Sequence, residues 1–384
     1  MYNVLTLNKI SKAGLSLLGA DYAVSDTVEN PDAVLVRSAS MHDMTMPESL
    51  LAIARAGAGV NNIPLDVCSE KGIVVFNTPG ANANAVKELV LTAILLSSRK
   101  IVQGIEWVKT LKGNGDATAK MVEKGKSQFV GPEIQGKTLG VIGLGAIGAL
   151  VANAAVALGM NVVGYDPFLS VDGALSLSSA VKHVVNLDEV FAASDYITVH
   201  VPLTPDTKGI ISAANIAKMK DNVRIMNFSR GDLAVADDVI KALADGKVAA
   251  YVTDFADDAL IGVDGVIITP HLGASTPESE DNCARMAALE ISDYLENGNI
   301  KNSVNLPAVS MPRVGDARVC VIHKNVPNVI SEVSSKISAC GANIENMQSK
   351  SRKDYAYTIL DITGEVDVAS ISSLAEVVRV RIIK

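Results

Sequence analysis

Gly143-Leu144-Gly145-Ala146-Ile147-Gly148 stands between the apolar run Thr138 to Ile142 and a long Ala-rich stretch, and Asp166 follows eighteen residues after the last glycine. Three glycines at that spacing, after a strand and at the start of a helix, form a dinucleotide-binding fingerprint. Gly143 permits the tight turn, Gly145 lets the backbone approach a pyrophosphate, and Gly148 lets the helix pack close to the strand. The helix N-terminus, with Ala146 and Ile147, then meets the phosphates. Asp166 follows a second β-rich run, Asn161 to Tyr165. A carboxylate there accepts hydrogen bonds from the adenine ribose hydroxyls and repels a 2′-phosphate, so NAD is expected rather than NADP. The segment Thr138 to Tyr165 is uncharged and long enough to span a bilayer. Asn153, the glycine spacing and the switch from β-branched to Ala-rich composition within it argue against a membrane helix.

At 384 residues, 48% of them hydrophobic, the chain has the length for two or three domains and the material for sizeable cores. A formal charge of −8 argues against a nucleic-acid partner, because phosphate backbones are held by clustered Lys and Arg. An anionic substrate must therefore find a local cationic pocket. Cys68, Cys283, Cys320 and Cys340 lack CxxC or zinc-finger spacing and read as buried reduced thiols, so no metal is expected. The N-terminus alternates like a first strand and lacks the basic and apolar regions of an export signal, which makes the cytoplasm the expected compartment, with no membrane partner.

Up to residue 88 the chain alternates short β-rich runs (Val4 to Leu7, Ala33 to Val36, Gly72 to Phe76) with helical stretches, the pattern of a small flavodoxin-like α/β domain. A helix is expected from about Asn84 to Ser98, then a looser segment containing Lys and Gly to about Gly136. Beyond the fingerprint, strand candidates at Tyr196 to Val201, Val223 to Asn227, Ala249 to Thr253 and Val266 to Thr269 alternate with helices, as a Rossmann-type doubly wound parallel sheet requires. The expected nucleotide domain is 89–283. Pro277 opens another helix, stopped by Asn297-Gly298-Asn299, that carries the chain back so that 284–306 complete the first domain. Residues 307–315, with Pro307, Pro312 and Gly315, read as a linker. From 316 to 384 the order is βαββαβ, with strands at Arg318 to His323, Ile344 to Ser349, Tyr355 to Ile362 and Val377 to Ile383, and helices at Val326 to Cys340 and Ser370 to Glu376. That order is ferredoxin-like.

Three polar stretches follow strand candidates, where an open α/β sheet presents its ligands: Asn227 to Gly231, Thr253 to Phe255, and Thr269 to Ser275. A lone Arg after a strand is usually a surface residue, and a lone His is usually structural. Their co-occurrence after a nucleotide fingerprint changes that weighing. Moving a hydride from a secondary alcohol to a nicotinamide needs a base for the hydroxyl proton, and His271 has the right chemistry. A 2-hydroxy acid also needs its carboxylate held, for which Arg230 supplies a planar fork of donors. A carboxylate beside the histidine would fix its tautomer, and Asp257 and Asp258 are the nearby candidates.

With these residues in view, the chain resembles the D-2-hydroxyacid dehydrogenase family almost end to end. The resemblance rests on Val36-Arg37-Ser38, Ala56 to Asn62, Asn77-Thr78-Pro79-Gly80, the helix with Glu88, Gly143 to Gly148 with Asp166, Val199 to Leu203, Ser229-Arg230-Gly231 and Pro270 to Ser275. The His271 to Ser275 run and the C-terminal module point to the phosphoglycerate branch. The resemblance implies Arg230 as the substrate-binding arginine, His271 as the acid/base, and Asp254 near the nicotinamide carboxamide. Pro202, Thr207, Phe228 and Gly273 are implied beside the cofactor. Arg37, Ser38, Gly59 and Asn61 would face the substrate from the first domain. Lys126 would either reach a substrate phosphate, in its own or a neighbouring subunit, or stay solvated. One departure stands out. The family's Glu, five residues after Asp254, is replaced by Ala259, and Asp258 becomes the candidate partner of His271.

The last module resembles an ACT domain, an amino-acid-sensing unit. The resemblance implies His323, Asn325 and Asn343 as contacts for an effector such as L-serine, with a purely structural role in dimerisation as the alternative. Asn328 stands where Gly usually follows the proline. The function implied is NAD-dependent oxidation of 3-phospho-D-glycerate to 3-phosphohydroxypyruvate, the entry to serine synthesis, by a homodimer or homotetramer. The alternatives are the same chemistry on glyoxylate, hydroxypyruvate or 2-hydroxyglutarate, or a non-catalytic NAD-responsive regulator.

Overall fold

Short runs of β-branched residues alternating with helices close here into two parallel sheets, and the last strands form an antiparallel one. The structure, a computed structural model, describes residues 1–384. Its contacts divide the chain into one unit of 1–82 with 277–384, and a second of 83–276.

In the first unit, β1 (Tyr2–Leu7), β2 (Tyr22–Ser25), β3 (Ala33–Val36), β4 (Ala52–Arg55) and β5 (Val74–Asn77) pair in parallel in the order β2-β1-β3-β4-β5. The flavodoxin-type order has this form. Strand residues alternate between two cores. Val34, Val36, Ile53 and Val75 pack with Cys68 on one face, while Leu35, Ala54 and Phe76 pack on the other against Ala284, Ala287 and Ile291 of the helix Pro277–Asn297. The sequence reading omits β2 and β4. Tyr22–Ser25 is a half-buried edge strand, and Ala52–Arg55 is alanine-rich, so neither shows a strong β signature.

The second unit holds β6 (Thr138–Ile142), β7 (Asn161–Tyr165), β8 (Val181–Val184), β9 (Tyr196–Val199), β10 (Val223–Asn227), β11 (Val248–Thr253) and β12 (Val266–Ile268). All are parallel, in the order β12-β11-β10-β9-β6-β7-β8. The order reverses at β6, which pairs β7 on one side and β9 on the other, and ligands of open α/β sheets bind at such a reversal. Residues 138–165 thus form strand, helix and strand, and no helix of the structure is long and apolar enough to cross a membrane. Val86, Val90, Ala93 and Ile94 of the helix Ala83–Arg99 share a core with Val141, Met226 and Val252, so that helix lies wholly with this sheet. The expected looser segment is instead helical over Ile101–Thr110 and Ala117–Gly125. Ile101, Ile105 and Val108 recur at helical spacing there, a stripe masked in the sequence by the intervening polar residues.

The end of the chain returns to the first unit. β13 (Ala317–Lys324), β14 (Asn343–Arg352), β15 (Tyr355–Thr363) and β16 (Val377–Ile383) form an antiparallel sheet in the order β14-β15-β13-β16, with helices Val329–Ala339 and Val368–Ser372 between strands. The first of these helices starts three residues later than expected, because Pro327 and Asn328 form the preceding turn. Asn328 takes φ +72°, a left-handed conformation that Asn tolerates better than most residues. Along β13, Val319 and Val321 face the module's own helices, while Cys320 and Ile322 face the core that contains Ala287 and Ile291. Residues 307–315 are not a free linker. Val309 and Met311 are buried, and Ile300 and Val309 exchange backbone hydrogen bonds. Cys340 is exposed, unlike the other three cysteines.

Candidate functional site

Across the second sheet, Tyr165, Ile142, Val199, Asn227, Thr253 and Ile268 lie in one register row at the C-terminal ends of the strands. The candidate site residues Gly143, Asp166, Arg230, Asp254 and His271 lie just beyond that row. Gly143 has φ +93°, and a Cβ there would strike the His200 carbonyl; a Cβ on Gly148 would strike the Gly143 carbonyl. Both glycines are therefore required by close backbone approach. Gly145 differs, because nothing lies within 4 Å of where its Cβ would be. That open space adjoins the helix Ala146–Ala157, where the amides of Ala146 and Ile147 hydrogen-bond to no protein group. Free helix-terminal amides beside a glycine cradle suit a pyrophosphate. Asp166 is fixed at the end of β7 by the amides of Leu144 and Phe168, each at 2.9 Å, and its oxygens keep further acceptor capacity for ribose hydroxyls.

Pro202 and Thr207 belong to one loop, but the Thr207 hydroxyl is already engaged, donating to the Pro202 carbonyl at 2.6 Å. Phe228 is a core residue packed with Val141 and Met226, so its side chain is not open to a ligand. Asp254 is 2% exposed. Its Oδ2 accepts from the Gly273 amide at 2.9 Å, and its Oδ1 is buried with no partner. An orphaned acceptor at this position fits the amide of a nicotinamide, and the residues present thus fit the dinucleotide at both ends. Burial raises the Asp254 carboxyl, against the opposing pull of the Gly273 amide and of the nearby His271 and Arg230.

Arg230 follows β10 in a turn held by Asn227, whose side chain donates to the Arg230 carbonyl at 2.8 Å and accepts from the Ser229 amide at 3.2 Å. Its guanidinium donates to the Ser229 carbonyl and has no carboxylate partner. A second anchor is the Ser229 hydroxyl on the Val199 carbonyl, at 2.7 Å. His271 follows β12 with its amide on the Asp254 carbonyl at 2.9 Å and its ring 5.0 Å from that of Phe255. Its φ of +30° is a sparsely populated backbone state for a non-glycine residue, the kind of strain that clusters at functional sites. The expected pairing with Asp258 is absent. Asp257 turns the loop over, its backbone carbonyl accepting from Leu260 and Ile261 and its carboxylate from Ala259, and Asp258 remains exposed without a bond to His271.

In the first unit, the edge formed by Val36, Arg55 and Asn77 carries Arg37 and Ser38 just beyond β3. Arg37 pairs with Glu280 at 2.7 Å, and Ser38 and Ala39 donate their amides to Asn8. Gly59 and Asn61 lie in the turn after β4, where the Asn61 carbonyl meets His42. Sequence reasoning missed Arg55, whose guanidinium bonds the Arg37 carbonyl at 3.0 Å; a Cβ on Gly57 would strike it. The arginine ending β4, directly before the glycine-rich turn, was the available signal. Also missed was His200, half-buried beside the phosphate turn, its Nε2 bonded to Thr198 at 2.9 Å, its Nδ1 buried without a partner, and its ring pushed down to about 4 by desolvation. Lys126 is exposed, just past the end of the helix Ala117–Gly125, and pairs with Glu123 of that helix at 2.5 Å.

In the C-terminal module, His323 and Asn325 line a cavity of about 410 Å³ together with Pro327, Asn328, Ser349 and Ser351. Asn343 does not join them. In the antiparallel register it pairs with Thr363, at the opposite end of the sheet from the His323–Ala356 pair. His323 is buried between the Lys324 carbonyl and Thr358, and burial lowers its ring below the ordinary histidine range.

Fold and strand-edge geometry define a dinucleotide-binding α/β protein with an exposed arginine and a histidine beyond the C-terminal ends of strands of its parallel sheet. The profile of the family described as D-isomer specific 2-hydroxyacid dehydrogenase, NAD binding domain, matches residues 91–273. The chain is 36% identical over 318 residues to D-3-phosphoglycerate dehydrogenase of Methanocaldococcus jannaschii, covering 80% of this chain and 58% of that one. With D-3-phosphoglycerate dehydrogenase 1 of Saccharomyces cerevisiae it shares 32% identity over 353 residues, 86% of this chain and 71% of the relative. The NAD-bound 3-phosphoglycerate dehydrogenase of Entamoeba histolytica superposes with a TM-score of 0.60 at 26% identity, over 79% of this chain and 98% of that one. The chain belongs to the D-isomer specific 2-hydroxyacid dehydrogenase family, and residues 91–273 are its NAD-binding domain. It spans little more than half the length of several curated relatives it matches.

Proposed function

We propose that the protein oxidises 3-phospho-D-glycerate to 3-phosphohydroxypyruvate with NAD, the first step of serine synthesis. The observation that carries this reading is the convergence of an unpaired Arg230 and a strained His271 around Asp254, beside a phosphate cradle with open amides. NAD supplies the hydride acceptor. His271 takes the proton from the C2 hydroxyl, and Arg230 holds the carboxylate and stabilises charge on the forming carbonyl oxygen. Asp254 orients the carboxamide through its free oxygen, Asp166 binds the ribose, and Gly143, Gly145, Ala146, Ile147 and Gly148 form the pyrophosphate turn. Arg37, Ser38, Gly59 and Asn61 serve the substrate from the first domain, and Arg55 is an added cation there. The relatives' names support phosphoglycerate as substrate.

We assign residues 1–82 with 277–306, rather than the expected 1–88 with 284–306, to the substrate domain, and 316–384 to an ACT-like, ferredoxin-like regulatory module. The βαββαβ order and the cavity at His323 and Asn325 support that assignment, with L-serine as the effector. Asn343, at the far end of the sheet, would contact an effector only from another subunit. A homodimer or homotetramer working in the cytoplasm completes the proposal.

The test is NADH formation from 3-phospho-D-glycerate and NAD at alkaline pH with the ketone trapped, with and without L-serine. Turnover suppressed by serine supports both parts, and turnover indifferent to serine removes the effector. Turnover only of glyoxylate, hydroxypyruvate or 2-hydroxyglutarate reassigns the substrate. NAD binding without turnover of any of these acids leaves a non-catalytic regulator, a reading favoured by the lack of a carboxylate on His271.

A further inference from the structure

A cavity of about 490 Å³ lies beside the helix Pro277–Asn297 in the first unit, and it includes none of Arg37, Ser38, Gly59 or Asn61. Its size falls in the range of small-molecule sites, roughly 300–1,000 Å³. The lining combines three features. Phe76 and Met286 supply an apolar surface. Glu290 is only 8% exposed; its Oε1 accepts from Asn302 at 2.6 Å, while its Oε2 is buried with no partner. Arg285 is exposed and makes no ion pair or hydrogen bond, whereas the other lining cation, Lys301, is held by Asp293 at 3.0 Å.

A buried acceptor without a donor costs about 1–3 kcal/mol, so Oε2 of Glu290 favours any ligand that brings it an N–H or O–H. Arg285 offers the opposite function, a planar set of donors for a carboxylate. Above pH 7, where Glu290 is ionised, the lining charges balance, Glu290 and Asp293 against Arg285 and Lys301, which suits a molecule with no net charge. A free acceptor, a free cation and an apolar surface lining one cavity match a zwitterion with a short hydrocarbon chain.

We propose that this cavity binds a free apolar α-amino acid, its ammonium on Glu290, its carboxylate on Arg285 and its side chain against Phe76 and Met286. The site is distinct from the cavity at His323, so the chain carries two small-molecule sites outside its strand-edge chemistry.

Isothermal titration of the full chain with L-leucine at pH 8 tests this, alongside 4-methylpentanoate, which lacks the ammonium, and 3-methylbutylamine, which lacks the carboxylate. Binding of L-leucine is expected, with each analogue at least about tenfold weaker. Glu290→Gln and Arg285→Ala are each expected to weaken L-leucine by at least about tenfold, while Asn325→Ala leaves it unchanged. Arg285 is exposed, so its variant keeps the test independent of folding. The proposal is overturned by absence of L-leucine binding, by full affinity in Arg285→Ala, by an analogue binding as well as L-leucine, or by loss of binding in Asn325→Ala, which would move the ligand to the C-terminal module.

Discussion

Arg230 and Arg318 put the same side chain to opposite uses. Arg230, at the end of β10, is exposed and bonds only its neighbour's carbonyl, leaving most of its donors open. Arg318, on β13, is fully buried; it meets both oxygens of Asp361 at 2.6 and 2.8 Å and donates to the carbonyls of Asn297, Met311 and Pro312. The C-terminal module uses two more arginines as fasteners without a carboxylate, Arg379 on the Leu50 carbonyl and Arg381 on that of Leu295. Where charge fastens one sheet to another segment the guanidinium is tied to carbonyls of distant residues, and where chemistry is expected donors and acceptors are left open.

The sharpest way to break that contrast is at the open end. Replacing His271 by Ala should lower kcat by roughly 10²- to 10⁴-fold, the range for loss of a general base, while NAD affinity measured by fluorescence titration stays the same. Unchanged turnover would remove His271 from the mechanism.

At the closed end, Arg318→Met should cost about 3–5 kcal/mol in urea unfolding, because Asp361 is left buried and uncompensated. Arg318→Met combined with Asp361→Leu should recover much of that loss, since a packed apolar pair has no charge to desolvate. A double variant no more stable than the single one would show that the carbonyl bonds to residues 297, 311 and 312, rather than the ion pair, hold the module in place.

Glu290 stands between the two patterns, with one oxygen used and one free. Burial pushes its carboxyl up to about 7, against the weaker pull of Asn302 and Lys301. The folded value lies above the ordinary 4.5, so this group's stability is fully present below pH 4.5 and is lost as pH rises through about 7. Glu290→Gln, which stays neutral, should match the parent chain near pH 4 and exceed it near pH 8, by on the order of 3 kcal/mol. A difference independent of pH would mean that Glu290 does not titrate in this range.

The same distinction decides what the sequence made legible. The fingerprint and the strands at 138–142, 161–165, 223–227 and 377–383 could be read directly, because local glycine geometry and β-branched runs are properties of adjacent residues. Arg230, Asp254 and His271 could be singled out as candidates because each stands within three residues of the end of a strand of one parallel sheet. Arg55 was not found, since its importance lies in standing next to Arg37 across a register that only strand pairing reveals. Nor could sequence show that 307–315 is packed rather than free, because Val309 and Met311 are buried by distant segments. Asn343 was grouped with His323 by motif, yet antiparallel register separates them along the sheet.

Asp258 is where motif and geometry disagree most plainly, and its variant should have the smallest effect. If a carboxylate fixed the tautomer of His271, its conversion to the amide would lower kcat by about 10⁴-fold, as in hydrolases that rely on such a pair. Asp258 makes no such bond, because Asp257 caps the turn with its own carboxylate and backbone. Asp258→Asn is therefore expected to change kcat by less than about threefold, well under the effect of a general base. His271 is instead oriented by its backbone bond to Asp254 and by Phe255. The catalytic base would then act without a charged partner, and Phe255→Ala should cost more in kcat than Asp258→Asn. The reverse ranking, read from steady-state NADH formation with both variants, would mean that the loop rearranges on binding substrate and brings Asp258 to the histidine.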